Sequence, residues 1–364
     1  MIFATNMYDA QRLNVSAIIY HCICLFLFLS PIVFITNRYF HSFKLPSSKA
    51  IKVLYYTIIG FGALTYVSIL PKLKTILSID DLQAARNMKN YDMLYEEEGG
   101  LLGYLGAFGS AFSYLSLYLF FYNLAYHPNK KRLIVLLFVC SLADAVTSLS
   151  VVGRGGIMRW ILMTLFFYFS FRKKIGLSIR KKVIKYVSIG SLPLIAVFLG
   201  ITISRFSNRA YPVYVSMFDY IGQSFIYFSY IFDPFYESSF GGRVSFPFLF
   251  PNDRLDGFVS EFLWSDFSLN TFSTFVGSFY KDMGFVVTLS LAIVFWLFHL
   301  IVYRFNVSPN RFYKLMLYIF FSQMIVNGVF YFQYTSTTKM KTFIVLVVFA
   351  ILLPIILPKQ NKYR

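Results

Sequence analysis

Apolar runs of about 20 residues, the length a helix needs to cross a bilayer, recur along almost the whole of this chain. They lie near 15–36, 51–70, 99–124, 133–152, 157–171, 184–204, 284–304, 312–333 and 342–358. The pattern predicts an all-α polytopic membrane protein with about nine transmembrane helices and one large outer loop. A length of 364 residues would otherwise leave room for two soluble domains. Only 14 % of the residues are charged, against about 25 % in soluble domains, so most of the chain must face lipid or other helices.

The net charge of +18 invites a nucleic-acid reading until the charges are located. One set of alternate loops (37–52, 127–132, 172–185, 304–314 and 359–364) holds 20 of the 34 Lys and Arg and no acid. The other set, which includes the N-terminus, holds 15 of the 16 acids, and the remaining acid, Asp144, falls inside a span. Basic loops face the cytoplasm, so the charge is a topology signal and not a nucleic-acid footprint. It predicts an N-terminus outside, a cytoplasmic C-terminus and an odd number of spans in an inner membrane.

Two outer loops exceed what a connection needs. Residues 71–98 carry Asp80, Asp81 and the run Glu96-Glu97-Glu98; residues 205–283 form a segment of 79 with 24 aromatic side chains. Within the latter, 213–232 is apolar enough for an interfacial or re-entrant helix. Cys22, Cys24 and Cys140 all sit in apolar runs and are expected to pack; no disulfide framework or metal-ligand spacing is present. No Walker A, GxGxxG or HExxH string occurs, so no nucleotide, dinucleotide or metal cofactor is expected.

Guanidinium groups gather on the predicted outer side. Arg154 and Arg159 flank the turn VVGRGGIMRW, whose glycines let a ligand approach peptide N–H groups at a helix start. Arg205 and Arg209 end the sixth run, and Arg243 follows in the large loop. Arg grips phosphate bidentately and keeps its charge when partly buried, so these five are candidate ligands of a lipid-linked diphosphate. An Arg at a helix end also snorkels to the interface without any ligand. The aromatic loop suits sugar rings. Its acids, Glu261 and Asp266 among them, and Asp282 at its end in SFYKDMG, are candidate general bases for a sugar hydroxyl. Asp144 reads equally as a functional group or as a carboxylate satisfied by Ser141, Thr147 and Ser148.

The turn VGRGGIMR at 152–159 and the string SLNTFSTFVGSFYKDMG at 268–284 resemble bacterial O-antigen and oligosaccharide repeat-unit polymerases of the Wzy type. In that family a small-residue turn with Arg follows a middle span. A large outer loop ends in Asn-Thr-Phe-x-x-Phe and then Tyr-x-Asp-x-Gly, matched here by Asn270, Thr271, Phe272, Phe275, Tyr280, Asp282 and Gly284. Family members often have ten or more spans, so a first span lacking from this chain would account for an outside N-terminus. The resemblance implies a cofactor-independent glycosyltransferase. It would pass a growing glycan from undecaprenyl diphosphate to a new lipid-linked repeat unit, with a flippase and a chain-length regulator as partners. Two other readings stand beside it. A polyprenyl-phosphate-sugar glycosyltransferase would use Asp80 and Asp81, which otherwise cap a short helix; a lipid-linked-oligosaccharide flippase would be expected to show internally repeated halves, which the sequence lacks.

Overall fold

The computed structural model describes residues 14–38, 48–77, 101–150, 153, 155–206, 224–229, 231–238, 240–243, 245–246, 274–301 and 312–329, with a few positions near 344–352. The described residues are mostly helical and contain no strand. Four helical stretches among them (Val15–Ile35, Lys49–Pro71, Lys131–Leu149 and Phe275–Leu300) are long and apolar enough to cross a membrane. Their exposed faces are apolar too: Ile19, Phe26 and Val33 on the first, and Val286, Val287 and Val294 on the last, face outward. Helices hydrophobic on every side belong in lipid, not in water.

The chain divides into two compact units. One, residues 45–208 with 345–364, contains α2 (Ser48–Leu77), α3 (Leu101–Tyr126), α4 (Lys131–Ser141), α5 (Ala143–Leu149), α6 (Gly155–Phe171) and α7 (Leu177–Phe206). Here α3 is central, packed against α2, α4, α5 and α6. Lipid offers no hydrophobic gain for helix pairing, so close backbone approach and interhelical hydrogen bonds must supply it. Both are present. A Cβ at Gly62 would lie 2.7 Å from Cys140 Sγ, and one at Gly109 would fall on the Phe61 carbonyl and Thr65. Ser116 donates to the Leu137 carbonyl (2.7 Å), Asn123 Nδ2 to the Tyr55 hydroxyl (3.0 Å), and Trp160 Nε1 to Ser141 Oγ (3.1 Å).

The run expected to be one span at 133–152 is helical on both sides of a break at Leu142. Its N–H reaches back to Val139, three residues away, so the helix tightens for a turn before α5. The ninth expected span, 342–358, lies almost wholly outside the described residues.

The other unit, residues 1–44 with 209–344, contains α1 (Val15–Arg38), α8 (Phe275–Leu300) and α9 (Phe312–Gly328), with α1 against both others. Asn14 starts α1, its Oδ1 accepting from the Ser16 and Ala17 N–H groups at 2.9 and 3.3 Å. Phe28 of α1 meets Phe275 and Phe295 of α8 edge-on or tilted, at 4.9 and 5.1 Å between ring centroids. His21 Nε2 lies 3.0 Å from Thr274 Oγ1, the residue that caps α8. His299 packs on Phe295 with Nδ1 at 2.8 Å from its carbonyl.

Two expectations change here. Helix α8 begins at Phe275, well inside the segment read as outer loop, so Asp282 is a helical residue. Cys24 and Cys140 pack as expected but Cys22 is exposed, because residues two apart on a helix point to different sides. Of the stretch 213–232, residues 224–229 are helical.

Candidate functional site

Among the described residues, each unit buries a polar cluster at a helix break. In the unit built on α3, the break at Leu142 places Asp144 in the first turn of α5, facing α6. Arg159 of α6 grips it with Nε and Nη2, at 3.1 Å to Oδ2, 3.1 Å to Oδ1 and 2.9 Å to Oδ2. Tyr114 of α3 donates to Oδ2 (2.6 Å) and Ser110 of the same helix to Oδ1 (3.2 Å), so the carboxylate is held from two helices, α3 and α6. Side-chain exposure is 12 % for Arg159 and 9 % for Asp144. A charge pair this buried stands only with close geometry and its remaining lone pairs bonded, and both conditions hold.

The glycine turn completes the arrangement. Gly156 N–H donates to Ser148 Oγ (3.0 Å), and a Cβ on Gly156 would sit 2.5 Å from both the Asp144 carbonyl and Ser148 Cβ. Only glycine lets α6 begin this close to α5. Arg159 Nη1 makes no hydrogen bond among the described residues and lies beside Gly155, 3.0 Å from where a Cβ would stand. The bonds to Asp144 thus come from other helices, while Ser141 and Thr147 donate to carbonyls of their own neighbourhood, Phe138 and Ala143.

In the second unit, α8 breaks at Gly284, where φ is 79° and ψ −179°, a conformation essentially confined to glycine. Breaking the helix frees peptide groups, and an adjoining stretch of chain, 231–246, takes them. Tyr236 Oη (3.0 Å) and Ser238 Oγ (2.8 Å) donate to the Lys281 carbonyl. Gly242 N–H donates to the Asp282 carbonyl (3.2 Å), and Phe285 N–H to the Tyr236 carbonyl (3.3 Å). Tyr280 Oη exchanges bonds with the Asp233 backbone at 2.6 and 2.7 Å. The Asp282 carboxylate, wholly buried, accepts the Ser245 N–H at 2.6 Å. Lys281, also wholly buried, donates to Tyr227 Oη (3.0 Å) with its ammonium 4.4 Å from that ring's centre. On the strap, burial raises the Tyr236 phenol above its usual value, with the nearby Asp282 charge adding to the shift, so it serves as a donor.

Arg243 stands in the tight turn of the strap. Gly241 (φ 58°) and Gly242 (φ 91°) occupy the two central positions, where a type I′ turn requires positive φ, and Arg243 N–H closes on the Phe240 carbonyl at 3.2 Å. Its half-buried guanidinium reaches the same carbonyl through Nη1 at 3.4 Å.

Of the residues singled out from sequence, Arg159 is joined to Asp144, and Asp282 to the turn that carries Arg243. Arg205 lies at the end of α7; Arg154, Arg209, Glu261, Asp266, Asp80 and Asp81 lie outside the described residues. Lys281, Tyr114, Tyr227 and Tyr236 were not singled out. The one available signal was Lys281, a cation adjoining an acid within an aromatic string. No group of His, Cys, Asp and Glu suited to a metal ion occurs among the described residues.

Apolar helices long enough to span a bilayer, with charged and polar groups paired between them, define a helical membrane protein. Compared with protein-family models, with curated proteins and with solved structures, the chain matches none.

Proposed function

We propose that this protein polymerises polyprenyl-diphosphate-linked oligosaccharide repeat units at the outer leaflet of a bacterial inner membrane. The observation that carries the reading is the broken helix α8. Tyr280, Asp282 and Gly284, which end the polymerase-like string, each have a distinct job at that break, and the same strap brings Arg243 to it. Interrupted helices in a membrane are tolerated where they line a site, since the freed peptide groups need partners there.

In this reading guanidinium groups hold the diphosphate and stabilise it as negative charge develops on the leaving group, with Arg154, Arg159, Arg205, Arg209 and Arg243 as the candidates. The anomeric C–O bond to the diphosphate breaks, and the acceptor hydroxyl of a second lipid-linked unit forms the new bond. A loop carboxylate, Glu261 or Asp266, takes the hydroxyl proton. No nucleotide or redox cofactor is needed, because the diphosphate departs as a stable anion.

The test is the length distribution of surface glycan in a strain lacking this chain, run beside a complemented strain. Long chains vanish while a single-repeat product persists, and Ala variants of Arg154 and of Arg243, at normal protein level, reproduce that pattern. The reading falls if both variants give normal chain lengths. The broken helix also favours a second reading, a flippase for the lipid-linked unit, since transporters bind cargo at such breaks. That reading predicts loss of the single-repeat product too, with precursor retained on the cytoplasmic leaflet.

A further inference from the structure

We propose that Asp282 is a positioning residue: it holds the Gly242–Ser245 stretch against the broken helix and thereby sets where Arg243 stands. The proposal rests on the polymerase reading for what Arg243 does, but not for what Asp282 holds.

Two bonds from one residue bracket the turn. The Asp282 carbonyl takes the N–H of Gly242, the residue before Arg243, and its carboxylate takes the N–H of Ser245, two residues after it. Inside the turn, the Arg243 N–H returns to Phe240 and the Phe246 N–H to Gly242 at 2.9 Å. The Arg243 backbone is therefore fixed on both sides, with Asp282 as the common anchor to α8. Peptide N–H groups donated to a carboxylate make stronger bonds than those to a neutral acceptor, which suits an anchor.

The same geometry argues against Asp282 as the group that activates a hydroxyl. A general base must come within about 2.6–3.2 Å of the oxygen whose proton it takes. Asp282 has no exposed surface, and Oδ2 is occupied by the strap. Lys281 next to it is equally buried, and its carbonyl is covered by Tyr236 and Ser238. An acceptor sugar reaches the carboxylate only if the strap leaves, and then Arg243 leaves with it. Among the sequence-derived candidate bases this leaves the acids of the loop, Glu261 and Asp266 among them.

The experiment compares Asp282→Asn with Asp282→Ala in the full-length protein, by amide hydrogen exchange in detergent and by glycan chain length in the complemented deletion strain. Asn keeps an oxygen for the Ser245 N–H and loses the ability to act as a base. Exchange protection across 240–246 and long-chain polymer are both retained in the Asn variant. In the Ala variant protection falls by about tenfold or more, as loss of a hydrogen bond to a charged group allows, and chains shorten as in Arg243→Ala. An Asn variant that is present at normal level, protected in the turn and without polymer overturns the proposal, because the charge itself is then required. So does an Ala variant whose turn stays protected. If the Ala protein does not accumulate, the Asn variant decides alone: polymer supports the anchor, and its loss or failure to fold overturns it. Should the deletion strain show no polymerisation defect at all, the exchange result still tests the anchor, so the two failures are distinguishable.

Discussion

Arg159→Ala lowers the melting temperature of the detergent-solubilised protein by roughly 10 °C, because it removes the guanidinium that grips both carboxylate oxygens of buried Asp144. The bonds from Tyr114 and Ser110 come from neutral donors and do not replace a guanidinium. Removing one partner of a buried ion pair costs about 3–5 kcal/mol, a large share of the 5–15 kcal/mol that holds an ordinary domain together. Asp144→Ala is expected to be as damaging, leaving a guanidinium with no counter-charge among the described residues. The double variant Asp144→Leu/Arg159→Met distinguishes the pair from its parts. Two apolar side chains of similar bulk leave no charge behind, so the double variant regains most of the lost stability. Thermal melts of the three variants decide the matter, and a double variant whose loss equals the sum of the two single losses would show that the pair is not coupled. Polymer stays absent in the double variant if Arg159 also serves the diphosphate through Nη1, and returns if its role is confined to Asp144.

Gly284→Ala is the second large effect. At φ 79° and ψ −179° any L side chain is strained, and strain of this kind costs about 1–3 kcal/mol. A Cβ there would also lie 2.7 Å from the Tyr236 carbonyl, the acceptor that pins the strap to Phe285. Backbone, not a flexible side-chain tip, is what the methyl meets, so the strap or the break has to move. Tyr20 Oη, which donates to the Phe285 carbonyl at 2.8 Å, loses its register with either movement. Loss of polymer and a lower melting temperature are expected together. Gly60→Ala supplies the control: a Cβ there meets nothing within 4 Å, and α2 gains the better helix former. A Gly284→Ala protein as stable and active as the Gly60→Ala protein would mean that the break has no part in holding the strap.

The helices were legible from sequence because lipid imposes one strong demand, a run of apolar residues long enough to cross it. Eight of the nine expected spans coincide at least in part with described helices, and the boundary errors fall where polarity misleads. Lys281 and Asp282 look like loop residues in a linear reading, so the start of α8 was placed too late. In the structure their charges are absorbed by Tyr227 and by the Ser245 N–H, which lets a helix carry them inward.

The candidate residues were legible in kind but not in company. Arg in a glycine turn and Asp within a span both stand out, because each is costly in a membrane without a partner. Which partner each takes depends on where α5 starts after Leu142 and on how closely Gly156 lets α6 begin. Neither is written in local sequence. Pairing across 15 residues between Asp144 and Arg159, or 37 between Ser245 and Asp282, is settled by helix packing and by the peptide groups a broken helix must satisfy. By itself the sequence determined that the chain would be helical and apolar, with its basic residues clustered between apolar runs, because those properties follow from composition and spacing. Only the tertiary structure decided that Arg159 would be bound to Asp144 and Arg243 tethered to Asp282, because a buried charge takes its partner from whatever the fold brings within hydrogen-bond reach.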